Sequence, residues 1–483
     1  MKVYAYYLIV ALLGTALFVG CSDDKDDGPD GPSTDSENKK ANTWIQKTMK
    51  DHYLWYDEIP DKEDLDLELN PKDIFENMLS DKDGKTDEKG KHLYHFSYIE
   101  KKREDTKAAS DLDPSYGFQY IVYTVTNQQG NAAGYYYARV LYVLPGSPAE
   151  EAGLLRDDWI YGVDGKENNI TDYMAQLEGG NASVFKVGFY NPETQRLENK
   201  PDINMPAARL VENNPFLKDS VYQIEGKKIG YLVYNHFSSQ AEGKTDKAYD
   251  NQMKAIFADF KAQGVNEFVL DLRFNGGGLV SCATLLASYL APANALGKTF
   301  SKMTYNGKQA NNETIIPFSK TVAAENLDLN RLWVLTGQFT ASSSEAVING
   351  LKPYMSSVRL IGDWTVGKAV GSNTYGDNLD YGWILHPITL RIRNAVDVDD
   401  AAYSQIGFEP DVEIYEYHLN SKLYPLGDTR ETLLSTALDE ITGKSSFGLR
   451  SAPATPDHSS GMIPVASSLE RRPNQGLIVP QED

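Results

Sequence analysis

The stretch Leu332-Trp333-Val334-Leu335-Thr336-Gly337-Gln338-Phe339-Thr340-Ala341-Ser342-Ser343-Ser344-Glu345 decides how the rest of the chain is read. It opens as a short, almost wholly apolar run ending in glycine, the pattern of a strand covered on both faces. A helix is predicted over 346–351, so Ser342 falls at a strand-to-helix junction. The first turn of a helix carries unpaired N–H groups and partial positive charge, so the amide of Ser343 could stabilise an oxyanion formed at Ser342. Taken alone, the same hydroxyls suit a plain helix cap, with Glu345 completing a capping box.

Two further segments supply what a nucleophilic serine lacks. Strands predicted over 229–234 and 268–272 alternate with helices over 246–263 and 279–290, which gives an α/β core. One strand runs into Asp271-Leu272-Arg273-Phe274-Asn275-Gly276-Gly277-Gly278. Glycines let backbone approach a ligand closely, and Gly277 is the candidate second oxyanion donor. A phosphate-cradling loop is the competing reading, but no Gly-Lys-Ser/Thr follows. The other segment is Trp364-Thr365-Val366-Gly367-Lys368-Ala369-Val370-Gly371-Ser372. A lysine with a pKa near ~10.4 is neutral in fewer than about one molecule in a thousand at pH 7. Service as a general base requires lowering it by roughly 3, about 4 kcal/mol, which an apolar pocket can supply. In isolation Lys368 reads as a solvent-exposed lysine.

As an ordered set spanning about 222–441, the three segments resemble the C-terminal processing peptidases, Ser/Lys endopeptidases with a crotonase-like α/β core. The resemblance implies Ser342 as nucleophile, Ser343 as oxyanion amide and Lys368 as base. Gly407-Phe408-Glu409-Pro410-Asp411 looks like a late signature of the family. The family often places a glutamine four residues after the lysine to orient it. Ser372 occupies that position here and is the possible orienting residue, with shorter reach. His236 and His386 are alternative bases that read as core histidines, His236 being the first substitute for Lys368.

From 113 to about 208 the texture changes to short alternating strands, including 117–126 and 135–144. Tyr142-Val143-Leu144-Pro145-Gly146-Ser147-Pro148-Ala149, with Ala152-Gly153-Leu154 and Asp157-Asp158-Trp159-Ile160, resembles a PDZ domain. Ser115-Tyr116-Gly117-Phe118 then looks like its carboxylate-binding loop, making Tyr116, Gly117 and Phe118 candidate peptide-binding residues. Such a loop receives a C-terminal carboxylate while the adjacent strand edge pairs with the peptide.

The chain starts Met1-Lys2 and continues with an apolar run over 6–19, an export signal in pattern and short for a spanning helix. Leu17-Phe18-Val19-Gly20-Cys21 resembles a bacterial lipobox, so Cys21 is the expected lipidation site; Ser22 favours outer-membrane sorting by resemblance. Cys282, the only other cysteine, reads as a buried filler, and two cysteines allow no disulfide framework or cysteine-based metal site. Acidic residues outnumber basic ones, 68 to 47, a formal net charge of -21 that opposes binding to nucleic acid.

The expectation is an α+β multidomain chain. It comprises a signal peptide (1–20), a flexible tether (21–41), a small N-terminal helical domain (42–105), a PDZ-like β-rich domain (106–210), a crotonase-like α/β peptidase core (211–443) and a disordered tail (444–483). The expected activity is Ser/Lys endopeptidase, with polypeptide substrates bound through their C-termini, no cofactor, no metal, and a lipid anchor in the bacterial envelope. Two alternatives stand beside it: a catalytically silent PDZ-containing binding lipoprotein, and a crotonase-like enzyme acting on acyl thioesters.

Overall fold

The structure is a computed structural model describing residues 34–61, 65–87, 90–102, 114–126, 132–165, 169–194, 196–241, 244–376, 381–396, 404–419, 421–444, 462–471 and 477–478. The expected signal peptide and Cys21 lie outside the described residues.

The core is a six-stranded sheet ordered Phe216–Ile224, Lys227–Tyr234, Glu267–Asp271, Arg331–Thr336, Ser357–Gly362, Val412–Glu413. The first two strands form an antiparallel hairpin, and each later pairing is parallel. Successive side chains of a strand point to opposite faces. Leu232, Leu270 and Val334 accordingly pack under helices Ala248–Gln263, Val280–Leu290 and Ser343–Leu351, while Tyr231, Val269 and Leu335 pack under helix Thr432–Thr442. Both faces being covered explains why these strands are apolar throughout.

A second sheet stands beside the first, ordered Gly278–Leu279, Leu477–Ile478, Val370–Ser372, Ile388–Arg393, Thr299–Tyr305, Thr314–Pro317. The PDZ-like sheet is built on strands Phe118–Thr126, Ala132–Val143, Trp159–Val163 and Ser183–Asn191, with helix Ile170–Glu178 closing its core. Its other face meets the catalytic core: Tyr142, Leu144 and Trp159 share a cluster with Phe274, Phe339, Tyr415 and Tyr417.

Two expectations at the ends need correction. The first helix spans Thr34–His52, so it takes in part of the segment read as tether. Ala41 is buried there, and Asn42 Nδ2 donates to Leu67 O and Leu69 O, which anchors a stretch whose composition is polar. The tail is not structureless either. Met462–Ser467 is a strand paired with Phe118–Thr126, and Leu477–Ile478 is a strand in the second sheet. Its Ser-, Pro- and Arg-rich composition masked a short apolar run, Met462-Ile463-Pro464-Val465-Ala466, that needs a distant partner edge to become a strand. The N-terminal aromatic stripe is core: Ile45, Met49, Tyr53, Ile74 and Phe75 pack with Val370, Leu385 and Ile388 of the catalytic core.

One buried cation fastens the modules beneath the glycine turn. The Arg273 guanidinium is fully buried and donates to Asp271 (Nη2–Oδ2 2.8 Å), Glu416 (Nη1–Oε2 2.7 Å) and Glu431 (Nη1–Oε1 2.8 Å). Arg156, in a turn of the PDZ-like domain, adds a second cation on Glu416 at 2.9 Å. Burial alone would raise the Glu431 carboxyl, but the facing Arg273 lowers it instead. Removing one partner of a buried network leaves uncompensated charge. Arg273→Ala should therefore cost about 3–5 kcal/mol in denaturant unfolding, and Arg273→Lys should recover little because a point ammonium cannot fork to three carboxylates. A loss below about 1 kcal/mol for Arg273→Ala would contradict this account.

Candidate active site

The parallel strand Arg331–Thr336 ends, the chain turns through 337–341, and helix Ser343–Leu351 begins. Ser342 joins turn to helix with φ 59° and ψ −112°, a backbone conformation L-residues rarely adopt. Such a conformation costs on the order of 1–3 kcal/mol and persists only where surroundings enforce it. Here they do. Ala341 N donates to Asn275 O (3.0 Å), Ser344 Oγ to Asn275 O (2.9 Å), Ser343 Oγ to Gly278 O (2.7 Å) and Thr340 Oγ1 to Leu272 O (2.9 Å). The nucleophile turn is thus stitched to the glycine turn along its length. A serine on a strained strand-to-helix turn presents its hydroxyl and places the next amide at the helix N-terminus. The Ser343 amide, first in the helix, has no intrahelical acceptor.

Gly277 lies against the serine. Its φ is +113°, and a Cβ there would stand 2.9 Å from Ser342 Cβ and 3.3 Å from Oγ, so only glycine fits. Its N–H donates to Asn275 Oδ1 at 2.9 Å. The predicted second oxyanion donor is therefore adjacent to the nucleophile but turned onto a side-chain acceptor.

Glu345 ties the serine to the lysine. Its carboxylate is fully buried and accepts four hydrogen bonds: at Oε1 from Thr365 Oγ1 (2.6 Å) and Gly367 N (2.7 Å), and at Oε2 from Ser342 N (2.8 Å) and Lys368 N (2.9 Å). Burial raises the carboxyl's pKa, opposed by these four donors. The lysine loop is also held by Val366 N on Thr340 O at 2.9 Å.

Lys368 is buried, with 4% of its surface exposed. Desolvation lowers the ammonium to about 8, against the attraction of Asp83 and Glu345, and Nζ stands 5.3 Å from the Phe96 ring centroid. Asp83 and Phe96 come from the N-terminal domain. Asp83 is itself fixed, accepting from Tyr53 Oη (2.9 Å), Phe96 N (3.0 Å) and Ser97 N (3.2 Å). Lys85 clips the same domain to the lysine loop through Val366 O (2.9 Å) and Ile406 O (2.8 Å). Ser342 Oγ is buried and has no hydrogen-bond partner, Lys368 Nζ included.

The remaining candidates fall elsewhere. Ser372 lies in strand Val370–Ser372, its backbone paired with Ile388 and Ile478; the charges that act on Lys368 are those of Asp83 and Glu345. The side chains of Tyr116 and Phe118 sit in the PDZ-like core, and the amides of Ser115 and Tyr116 donate to Arg209 O (2.9 Å) and Glu178 O (3.3 Å). His386 stacks on Tyr98 and contacts Glu100 and Thr374, and His236 contacts Asn235 Oδ1 at 2.7 Å. Cys282 is buried, its thiol pushed up to about 12 by burial. Among the described residues no group of three or more His, Cys, Asp or Glu side chains is placed to hold a metal ion. Sequence reasoning missed Asp83, Lys85 and Phe96 altogether, and credited Glu345 only with capping.

A serine on a strained elbow, a desolvated lysine bound to the same carboxylate, and a PDZ-like module docked on the glycine turn define a serine-peptidase type of architecture. Comparison with known proteins gives the same class. Residues 228–414 match the model of peptidase family S41, residues 40–98 that of the peptidase S41 N-terminal domain, and residues 139–184 that of a PDZ domain. A putative S41 protease from Bacteroides fragilis, known by crystal structure, is 31% identical, with a TM-score of 0.70 over 87% of this chain and 99% of that one. Carboxyl-terminal-processing proteases from Picosynechococcus and Synechocystis are 27% and 25% identical over 48% of this chain. The match spans about half the length of those relatives, 50% and 49%. The chain belongs to peptidase family S41.

The Glu345 arrangement generates a sharp expectation. All four partners are donors, so both oxygens must be acceptors, and an amide would aim N–H at two of them. Glu345→Gln should therefore be nearly as harmful as Glu345→Ala, each losing about 3 kcal/mol or more in denaturant unfolding. Near-native stability of the Gln variant would refute the four-donor account.

Proposed function

We propose that this protein is a serine endopeptidase that cleaves exported polypeptides, engaging them through C-terminal segments. The observation that carries the reading is the Glu345 carboxylate binding the backbones of Ser342 and Lys368 at once, within an S41 chain. Neutral Lys368 takes the Oγ proton as Ser342 attacks the scissile carbonyl carbon. The tetrahedral oxyanion is received by the Ser343 amide and by the Gly277 amide once it leaves Asn275 Oδ1. The intermediate collapses with C–N cleavage, and the Lys368 ammonium protonates the departing amine. Water then hydrolyses the acyl-enzyme with Lys368 again as base. Before substrate arrives, Ser342 Oγ lacks a partner; catalytic hydrogen bonds often tighten only in the substrate complex.

The same reading extends to the cell envelope: Cys21 is acylated and anchors the chain to the bacterial outer membrane. The support is the lipobox-like Leu17-Phe18-Val19-Gly20-Cys21 behind an apolar run. Palmitate labelling of the full chain in a bacterial host should disappear in Cys21→Ala, and persistence of the label would count against the anchor.

Hydrolysis of a loosely folded polypeptide tests the main reading. Ser342→Ala and Lys368→Ala should each lower kcat/KM about 10³-fold or more with unfolding midpoints retained. The wild-type rate should rise with pH along a limb centred near 8, because protonated Lys368 cannot accept the serine proton and deprotonation above that value creates the base. Undiminished cleavage by both variants, or a rate independent of pH between 6 and 9, would defeat the proposal.

A further inference from the structure

Ser342 and Lys368 are buried, and the chain's own C-terminal segment pairs with strands that neighbour them. Met462–Ser467 runs antiparallel along the open edge of Phe118–Thr126, from Met462 opposite Val125 to Ser467 opposite Ile121. This direction carries it towards the Tyr116-Gly117 loop, the polarity with which an extended peptide adds to a sheet edge ahead of a terminal-carboxylate loop. Beyond the strand, Ser468 Oγ accepts from Tyr120 N (2.9 Å) and donates to Gln119 Oε1 (2.7 Å), and Ser467 Oγ donates to Tyr120 O (3.1 Å). Leu469 is fully buried in the cluster that holds Phe274 and Phe339, the residues leading into the glycine and nucleophile turns.

The segment then reaches the chemistry. Leu477–Ile478 lies between the two strands that flank the candidate dyad, pairing in parallel with Gly278–Leu279 on one side and with Ser372 on the other. Gly278 follows the oxyanion candidate Gly277, and Ser372 is four residues beyond Lys368. Two segments of the same C-terminal stretch thus engage both edges at once.

We infer that the PDZ-like edge and the slot between Gly278–Leu279 and Val370–Ser372 both receive extended polypeptide, and that residues 462–469 and Leu477–Ile478 of this chain are their resident, competing occupants. The binding half stands on backbone pairing alone; the inhibitory half rests on the peptidase reading above. The site beside the occupant is not assembled for cleavage: Gly277 N–H points at Asn275 Oδ1, and Ser342 Oγ is not hydrogen-bonded to Lys368. Tethering gives the tail an effective concentration in the millimolar range, so substrate must compete with it in cis.

The test compares the full chain with one ending at residue 461. With the tail removed, KM for a loosely folded polypeptide should fall about 10-fold or more with kcat little changed. A synthetic peptide of residues 462–483 should inhibit the shortened chain competitively, and should bind its Ser342→Ala form by fluorescence anisotropy. Should the shortened chain fail to fold, Leu469→Asp in the full chain unseats the tail from its buried anchor and should lower KM in the same way. An unchanged KM in the shortened or Leu469→Asp chain, or failure of the peptide to bind, overturns the inference. Peptide binding to a chain without hydrolytic activity would instead uphold the binding half and remove the peptidase reading.

Discussion

The catalytic region depends on one buried carboxylate. Glu345 projects from the first turn of helix Ser343–Leu351 and receives donors from the serine turn and the lysine loop. A carboxylate with this many short donors, one of them the amide of a residue at φ 59°, defines where two separate backbone segments must be. The Ser342 conformation and the placing of the Lys368 backbone are held by that satisfaction together with the bonds that stitch the serine turn to the glycine turn. A neutral cap at the same position could hold the helix end but could not accept from both segments. This is why the capping reading and the catalytic reading of Glu345 are not rivals: the carboxylate that caps Ser342 also recruits the base loop.

Around this anchor, charges are distributed by depth. Arg273 lies beneath the glycine turn and neutralises carboxylates from three positions of the chain, fixing the turn from below. Lys368 lies above, and what lowers its pKa is removal of water. The N-terminal domain contributes to that removal, with its Phe96 ring 5.3 Å from Nζ and its Lys85 bonded to the loop. Holding an ammonium at about 8 in place of its ordinary 10.5 costs about 3 kcal/mol at neutral pH. The N-terminal domain thereby acquires a physical task, since Phe96 is part of the apolar surrounding that disfavours the ammonium. Asp83 works the other way, favouring the charged form, and so sets how far the depression goes.

How much of this was legible follows from how local each signal is. The strand-turn-helix of Ser342, the glycine turn and the lysine loop each lie in a contiguous stretch whose periodicity and glycines declare them, and the core strands were readable from their apolar runs. The environment of Lys368 was not, because Asp83, Lys85 and Phe96 belong to a different domain and their chemistry appears only when the domains pack. Arg273 could have been suspected, a charged residue closing an apolar strand beside Asp271. The tail was misread because strand formation by Met462–Ser467 needs an edge whose residues are remote in sequence, with Tyr120 and Ser468 348 positions apart. Composition reports average polarity; an edge strand is decided by a few apolar positions and an unpaired partner.

The buried centre also bears on how strain and occupancy cooperate. A nucleophile in a costly backbone conformation, a lysine held short of its ordinary pKa and an oxyanion amide diverted to Asn275 Oδ1 are three penalties carried by one small region. Each can be supported only because the surrounding turns are pinned by Glu345, Arg273 and the docked N-terminal and PDZ-like units. Backbone pairing in the slot adds to that support, since Gly278, next to Gly277, and Ser372, four residues beyond Lys368, gain partners when a strand lies between them. An extended peptide entering the slot would supply the same pairing while presenting a carbonyl to the Gly277 amide, exchanging a side-chain acceptor for the reacting oxygen. The slot therefore links whatever strand fills it to the oxyanion site through the backbone of the glycine turn, and a carbonyl presented to Gly277, not the pairing itself, is what distinguishes a substrate from the resident tail.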